Sequence, residues 1–120
     1  MKTTKQDFAD FTKHALEWQD RLGLTNWKLY FYHRHVDGSY ADCSWDAESS
    51  VATIRLSTNW EPAREKSQDE LRLLALHEVL HVFTAELCCY AEARYTTRSQ
   101  IDTAEHSMIR RLENILMPSQ

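Results

Sequence analysis

Leu73-Leu-Ala-Leu-His-Glu-Val-Leu-His-Val-Phe-Thr84 is the stretch on which the reading of this chain turns. Within it His77, Glu78 and His81 form the pattern His-Glu-x-x-His in otherwise apolar surroundings. Residues i and i+4 of a helix lie one above the other, about 6 Å apart, so His77 and His81 converge on one metal ion. Two imidazoles at that spacing suit zinc. Glu78 lies about 100° further round the helix, outside the ligand pair but within reach of a water on the metal, which is the position of a general base. An unpaired imidazole or carboxyl among Leu73, Leu74, Leu76, Val79, Leu80, Val82 and Phe83 is costly. A metal or a buried His-Glu network has to compensate these groups.

Outward from the motif, Ser67 and Glu70 form a Ser-x-x-Glu capping box, and the helix runs from there to about Cys89. Glu70, Leu74, His77, His81, Thr84 and Cys88 share the stripe expected to face the site, while Leu73, Leu76, Leu80 and Phe83 are expected in the core. Cys88 sits about 10 Å along the helix from His81, beyond reach of the same ion, and reads as a packing residue. Asn59-Trp60-Glu61-Pro62 and the charged Arg64-Glu-Lys66 form a short exposed connection before the helix.

Earlier in the chain, Phe8, Phe11, Ala15, Trp18 and Leu22 recur at helical spacing from a cap at Thr4 and Asp7, and Gly23 stops that helix. His14 falls beside the stripe and reads as a surface or boundary histidine. From Trp27 to Val36 the period becomes two, with Trp27, Leu29 and Phe31 on one face and Lys28, Tyr30, Tyr32 and Arg34 on the other. Asp37-Gly38 then predicts a hairpin returning as Tyr40 to Asp46, with Ala41, Cys43 and Trp45 inward. A polar turn at Ala47 to Ser50 leads to a third strand, Val51 to Ser57, burying Ala52, Ile54 and Leu56. Three strands with one apolar face need a helical cover. His33 and His35, near the end of the first strand, are either a site rim or solvated strand-end residues.

After a loop over Tyr90 to Thr97, a last helix starts with a capping box at Thr97 and Gln100 and ends at Met117, before Pro118. Catalytic zinc usually takes three protein ligands and one open position. Ile101, Ala104, Met108, Leu112, Ile115 and Leu116 mark this helix's apolar face, and steps of 100° put Glu105 in its middle. A lone buried carboxylate there is expensive unless a metal bond compensates it. Glu105 is preferred to His106, which projects towards the edge of the stripe.

At 120 residues and 42% hydrophobic content the chain supports one domain, residues 1–120, with one core. A net charge of -4 with scattered Lys and Arg leaves no cationic footprint, so nucleic acid is not an expected partner. There is no apolar signal-peptide core near the start and no uninterrupted membrane-spanning run. Cys43, Cys88 and Cys89 make an odd count and read as reduced thiols. The expected location is the cytoplasm.

In its order of helix, three strands, His77-Glu78-x-x-His81 helix and final helix carrying Ala104-Glu105-His106, the chain resembles the minimal zincin-like, gluzincin-type metallopeptidases of phages and prophages. The resemblance implies an α+β zincin-like domain with a three-stranded, mainly antiparallel sheet. It implies zinc on His77, His81 and Glu105, Glu78 as catalytic base, and the third strand along the cleft as a template for an extended peptide or protein substrate. For a phage-encoded chain the setting is the host cytoplasm. In better-known gluzincins an Asp four residues after the ligand Glu orients a zinc-bound His. Position 109 here is Ile, so Asp102 or a backbone carbonyl has that task.

The first functional expectation is therefore hydrolysis of a peptide or related amide by a zinc-activated water, with Tyr90, Tyr95, His35 and His106 as candidate oxyanion donors. A second is a zinc-stabilised module of the same fold that binds an extended peptide without turnover. A third is a structural helical protein without metal.

Overall fold

The computed structural model describes residues 1–62 and 66–117. It is a small α+β domain: α1 (Lys5–Arg21), β1 (Lys28–His33), β2 (Ala41–Asp46), β3 (Val51–Leu56), α2 (Gln68–Glu92) and α3 (Arg98–Leu116). Caps define the helix ends. Thr4 and Asp7 form a reciprocal capping box at α1, as Thr97 and Gln100 do at α3, and the Ser67 hydroxyl accepts from the Glu70 N–H at α2. Gly23, at φ 68°, takes the left-handed conformation that ends α1.

The strand faces follow the alternation. Leu29 and Phe31 pack against the core while Lys28, Tyr30 and Tyr32 are exposed, and Ala52, Ile54 and Leu56 are buried. The pairing departs from expectation. Asp37 and Gly38 do form a turn, with Gly38 at φ 75°, but β1 and β2 do not pair. The order is β1-β3-β2, with β1 parallel and β2 antiparallel to β3, so the sheet is mixed rather than mainly antiparallel. The real hairpin is β2–β3, where the Asp46 carboxylate accepts the Glu48 and Ser49 N–H groups and Ser50 adopts φ 55°.

Two features explain this order. β3 is the most apolar strand, as a strand paired on both sides should be, whereas Lys28 on β1 and Asp42 and Asp46 on β2 suit edges. The segment after β1 also closes over the end of β3. Arg34 exchanges backbone bonds with Leu56 and Thr58, Ser57 N–H donates to the Tyr40 carbonyl, and the buried Ser57 hydroxyl accepts from the Val36 N–H. A tight hairpin would have left those groups unpaired.

Residues 1–3 lie against 58–60. Thr3 N–H donates to Thr58 O, Trp60 N–H to Met1 O, and Lys2 bridges Asn59. The Lys66 ammonium donates to Lys2 O at 2.9 Å and to Asp7 at 2.8 Å, tying the approach to α2 to the start of α1. Arg64 in the expected connection and the stop at Pro118 lie outside the described residues.

α2 touches α1, β2 and α3. It is long and apolar enough, by length and composition, to cross a membrane, yet Leu71, Ala75, Val79, Val82, Phe83 and Ala85 are spent on the core. The core face is rotated from the expected one: Leu73 is 60% and Leu80 38% exposed, while Phe83 is buried and Leu76 partly so. The physical reason is that Ala75, Glu78 and Val82 take the place against the sheet and α1, which turns Leu73 and Leu80 outward with the histidines. Leu71→Ala should therefore lose about 2–5 kcal/mol in urea denaturation and Leu73→Ala less than about 0.5. Equal losses would mean that this face assignment is wrong.

Candidate functional site

α2 carries the motif at mid-helix, where backbone groups are satisfied within the helix and side-chain directions are fixed by its pitch. The His77 and His81 rings lie 5.0 Å apart between centroids, at 81° to one another, and both residues are exposed. The helix thus brings the expected imidazole pair together at its surface. Thr84, one turn on, turns its hydroxyl back to the Leu80 and His81 carbonyls rather than towards the site.

Glu78, about 100° further round the helix, is only 3% exposed. Among the described residues its carboxyl has no hydrogen-bond partner, and its oxygens are not sealed from the cleft. Burial pushes its pKa up to about 7, and the nearby negative charge of Asp42 adds to the effect. Asp42 is itself gripped by Arg55 across the β2–β3 pair, through Nε at 2.7 Å and a second guanidinium nitrogen. The same surroundings push Cys43 up to about 12, through burial first and then Glu78 and Asp42. This thiol stays protonated near neutrality and is no nucleophile.

Glu78 and His77 share a cleft of about 390 Å³ with Leu73, Leu74, Gly38, Ser39, Tyr40 and Ala41. The wall opposite α2 is the loop at 38–40 and the first residue of β2, Ala41; β2 is an edge strand. β3 cannot template a substrate because both of its edges are already hydrogen-bonded. Tyr40, which sequence reasoning missed, is on the cleft wall, packed on Trp60 at 5.1 Å and donating to Glu61 at 3.4 Å. Its only sequence signal was its place just after the Asp37-Gly38 turn.

The four oxyanion candidates lie elsewhere. Tyr90 lines a separate cavity of about 280 Å³ with Trp27, Glu86, Cys89 and Arg111. Tyr95 projects into solvent, and His35 pairs with Asp37 at 2.7 Å beside a neighbouring depression. His106 is exposed, its Nδ1 donating to the Asp102 carbonyl at 2.8 Å. That carbonyl orients His106, not the motif pair. His33 is structural: it stacks on Phe8 at 5.1 Å and donates to Thr3 Oγ1, which donates onward to Ser57 O. His14 is a boundary residue joining α1 to Gln68 at the start of α2.

Glu105 is exposed, not buried. α3 meets α2 through Ala104, with Met108 and Ile115 packed on the core, and this is one margin of its apolar arc. The half holding Glu105 is left outside. Among the described residues no group of three or more His, Cys, Asp and Glu side chains is placed to hold a metal. His77 and His81 are residue types that suit zinc, and among the described residues no third such side chain is grouped with them. No protein-family model, curated protein or solved structure matches the chain.

Burial of Glu78 leaves a mark on stability. Its folded-state pKa lies above the ordinary 4.5, so between pH 4.5 and 7 the folded chain keeps a proton that the unfolded chain has released. This contribution is fully present below pH 4.5 and is lost as pH rises through 7. In metal-free protein, Glu78→Gln should flatten the fall in urea stability between pH 4.5 and pH 8 by up to about 3 kcal/mol. An unchanged pH dependence in the variant would show that ionising Glu78 costs the fold nothing.

Proposed function

We propose that the chain is a zinc-dependent metallopeptidase that hydrolyses a peptide or related amide bond, with Glu78 as the group that moves the proton. The observation that carries this reading is Glu78 itself: a carboxyl on a residue only 3% exposed, without a hydrogen-bond partner among the described residues, lining a cleft with one of two exposed imidazoles. A glutamate kept only for structure is normally paired. A group with a pKa near 7 can both accept and return a proton at neutral pH.

His77 and His81 are the residues that would hold zinc, with Glu105 as the proposed third ligand. When bound, zinc supplies Lewis acidity, drawing the pKa of water towards 7 and polarising a carbonyl. Glu78 takes the proton from the attacking water and delivers it to the nitrogen of the departing amine. The outer edge of β2, unpaired among the described residues, would offer backbone groups to an extended substrate. The three free cysteines go with a cytoplasmic setting.

The same open edge favours a second reading, a zinc-stabilised module that binds an extended peptide without cleaving it. Assay of a peptide library with wild type and Glu78→Gln separates the two. For the peptidase, the variant keeps stoichiometric zinc and loses at least about 100-fold in turnover. Equal turnover removes Glu78 as base, and peptide binding without turnover by wild type selects the module.

A further inference from the structure

The cavity of about 280 Å³ lies at the opposite end of the sheet from the motif. Ala41, at the start of β2, lines the motif cleft, and Ala47, just past its end, lines this cavity, so the two spaces are about 20 Å apart along the strand. On α2, Glu86 stands about 13 Å beyond His77. The space is that of about nine waters at ~30 Å³ each, too small for a drug-sized ligand and enough for a single amino-acid residue.

Its polar groups come from four parts of the chain and are unspent. Trp27, just before β1, is only 8% exposed, and its indole N–H has no partner among the described residues and is not sealed in. A buried N–H of that kind calls for an acceptor. The carboxylates of Glu86 on α2 and Glu48 in the β2–β3 turn have neither an ion pair nor a hydrogen bond among the described residues. Arg111 on α3 donates through Nε to Gly23 O at 3.3 Å and through Nη1 to Ser107, which leaves Nη2 without a partner among the described residues. Val82 and Phe83 supply an apolar wall.

These groups select a ligand by exclusion. An inorganic anion would meet two carboxylates. A bare metal ion would meet a guanidinium, and no group of three metal-type side chains is placed for it among the described residues. A purely apolar molecule would leave donors and acceptors stranded. An ammonium with a neighbouring carbonyl oxygen satisfies both kinds. We propose that this cavity binds one apolar α-amino residue, either a free amino acid or the N-terminal residue of a peptide. Its ammonium pairs with Glu86 and Glu48, its carbonyl oxygen accepts from Trp27 Nε1 and Arg111, and its side chain packs on Val82 and Phe83. No metal takes part, and His77, Glu78 and His81 are not involved.

The test titrates the whole, metal-free chain with leucine and leucinamide by calorimetry. In a Cys88→Ser background it also follows alkylation of Cys89, which lines the cavity. At least one of the two should bind at a single site and slow that alkylation as the site fills. Isoamylamine, which lacks the carbonyl, and isocaproate, which lacks the ammonium, should bind at least about 10-fold more weakly. Glu86→Gln, at a half-exposed position, should keep the urea midpoint and lose at least about 10-fold in affinity, and Trp27→Phe, which keeps a ring and loses the N–H, roughly fivefold. Leucine tighter than leucinamide, with the preference lost in Arg111→Gln, assigns the free amino acid, and the reverse order assigns a peptide N-terminus. Absence of saturable binding, isoamylamine binding as tightly as leucinamide, affinity unchanged in Glu86→Gln, or Cys89 alkylating at its free rate under saturation each overturns the assignment.

Discussion

A helix that turns 100° per residue cannot send two histidines at i and i+4 into solvent without sending the residue after the first towards its buried flank. That constraint sets the position of Glu78. The flank must be covered, and in this chain α1 and β2 cover it while His77 and His81 remain outside. The helix thus divides the motif between two media. The imidazoles stay in water, where they can meet a cation, and the carboxyl enters a region that disfavours its charge. The other elements serve to hold that boundary. Lys66 ties the approach to α2 to α1, and the Asp42–Arg55 pair clasps β2 to β3 beside Glu78.

Much of the secondary structure was legible because its signals are local. Caps at Thr4, Ser67 and Thr97 mark the three helix starts, and alternation marks the inward faces of Leu29, Phe31, Ala52, Ile54 and Leu56. Strand order was not, because pairing is decided by contacts distant in sequence. Asp37-Gly38 is a genuine turn signal, and a turn is what it makes, but turn chemistry does not choose the neighbour of a strand reached through a connection over 34–40. Ser57, which satisfies the crossing segment, and residues 1–3 against 58–60 carry no periodic signature at all.

The site was legible to the same depth. His77, Glu78 and His81 are adjacent on one element, so helical geometry alone relates them. Glu105 was placed correctly within the apolar arc of α3, but projection says nothing of which part of the arc meets α2, and Ala104, with the smallest side chain there, allows the closest approach. Tyr40 escaped notice because it comes from a loop brought to α2 by the sheet order, not by sequence spacing. Tyr90 illustrates the reverse. Proximity to the motif in sequence put it among the candidates, and the helix turned it towards a different cavity.

The parallel pairing of β1 with β3 also makes β1 the strand joined through the longer-range contact. β1 leaves α1 with no strand to join, since β2, the next to emerge, is never its neighbour. The β2–β3 hairpin closes through a short local turn and is the part of the sheet with the least loop entropy to overcome. β1 can complete the sheet only when β3 is present, since β3 is the strand it pairs with. α2, fifth in the chain, is the element that packs on both α1 and β2.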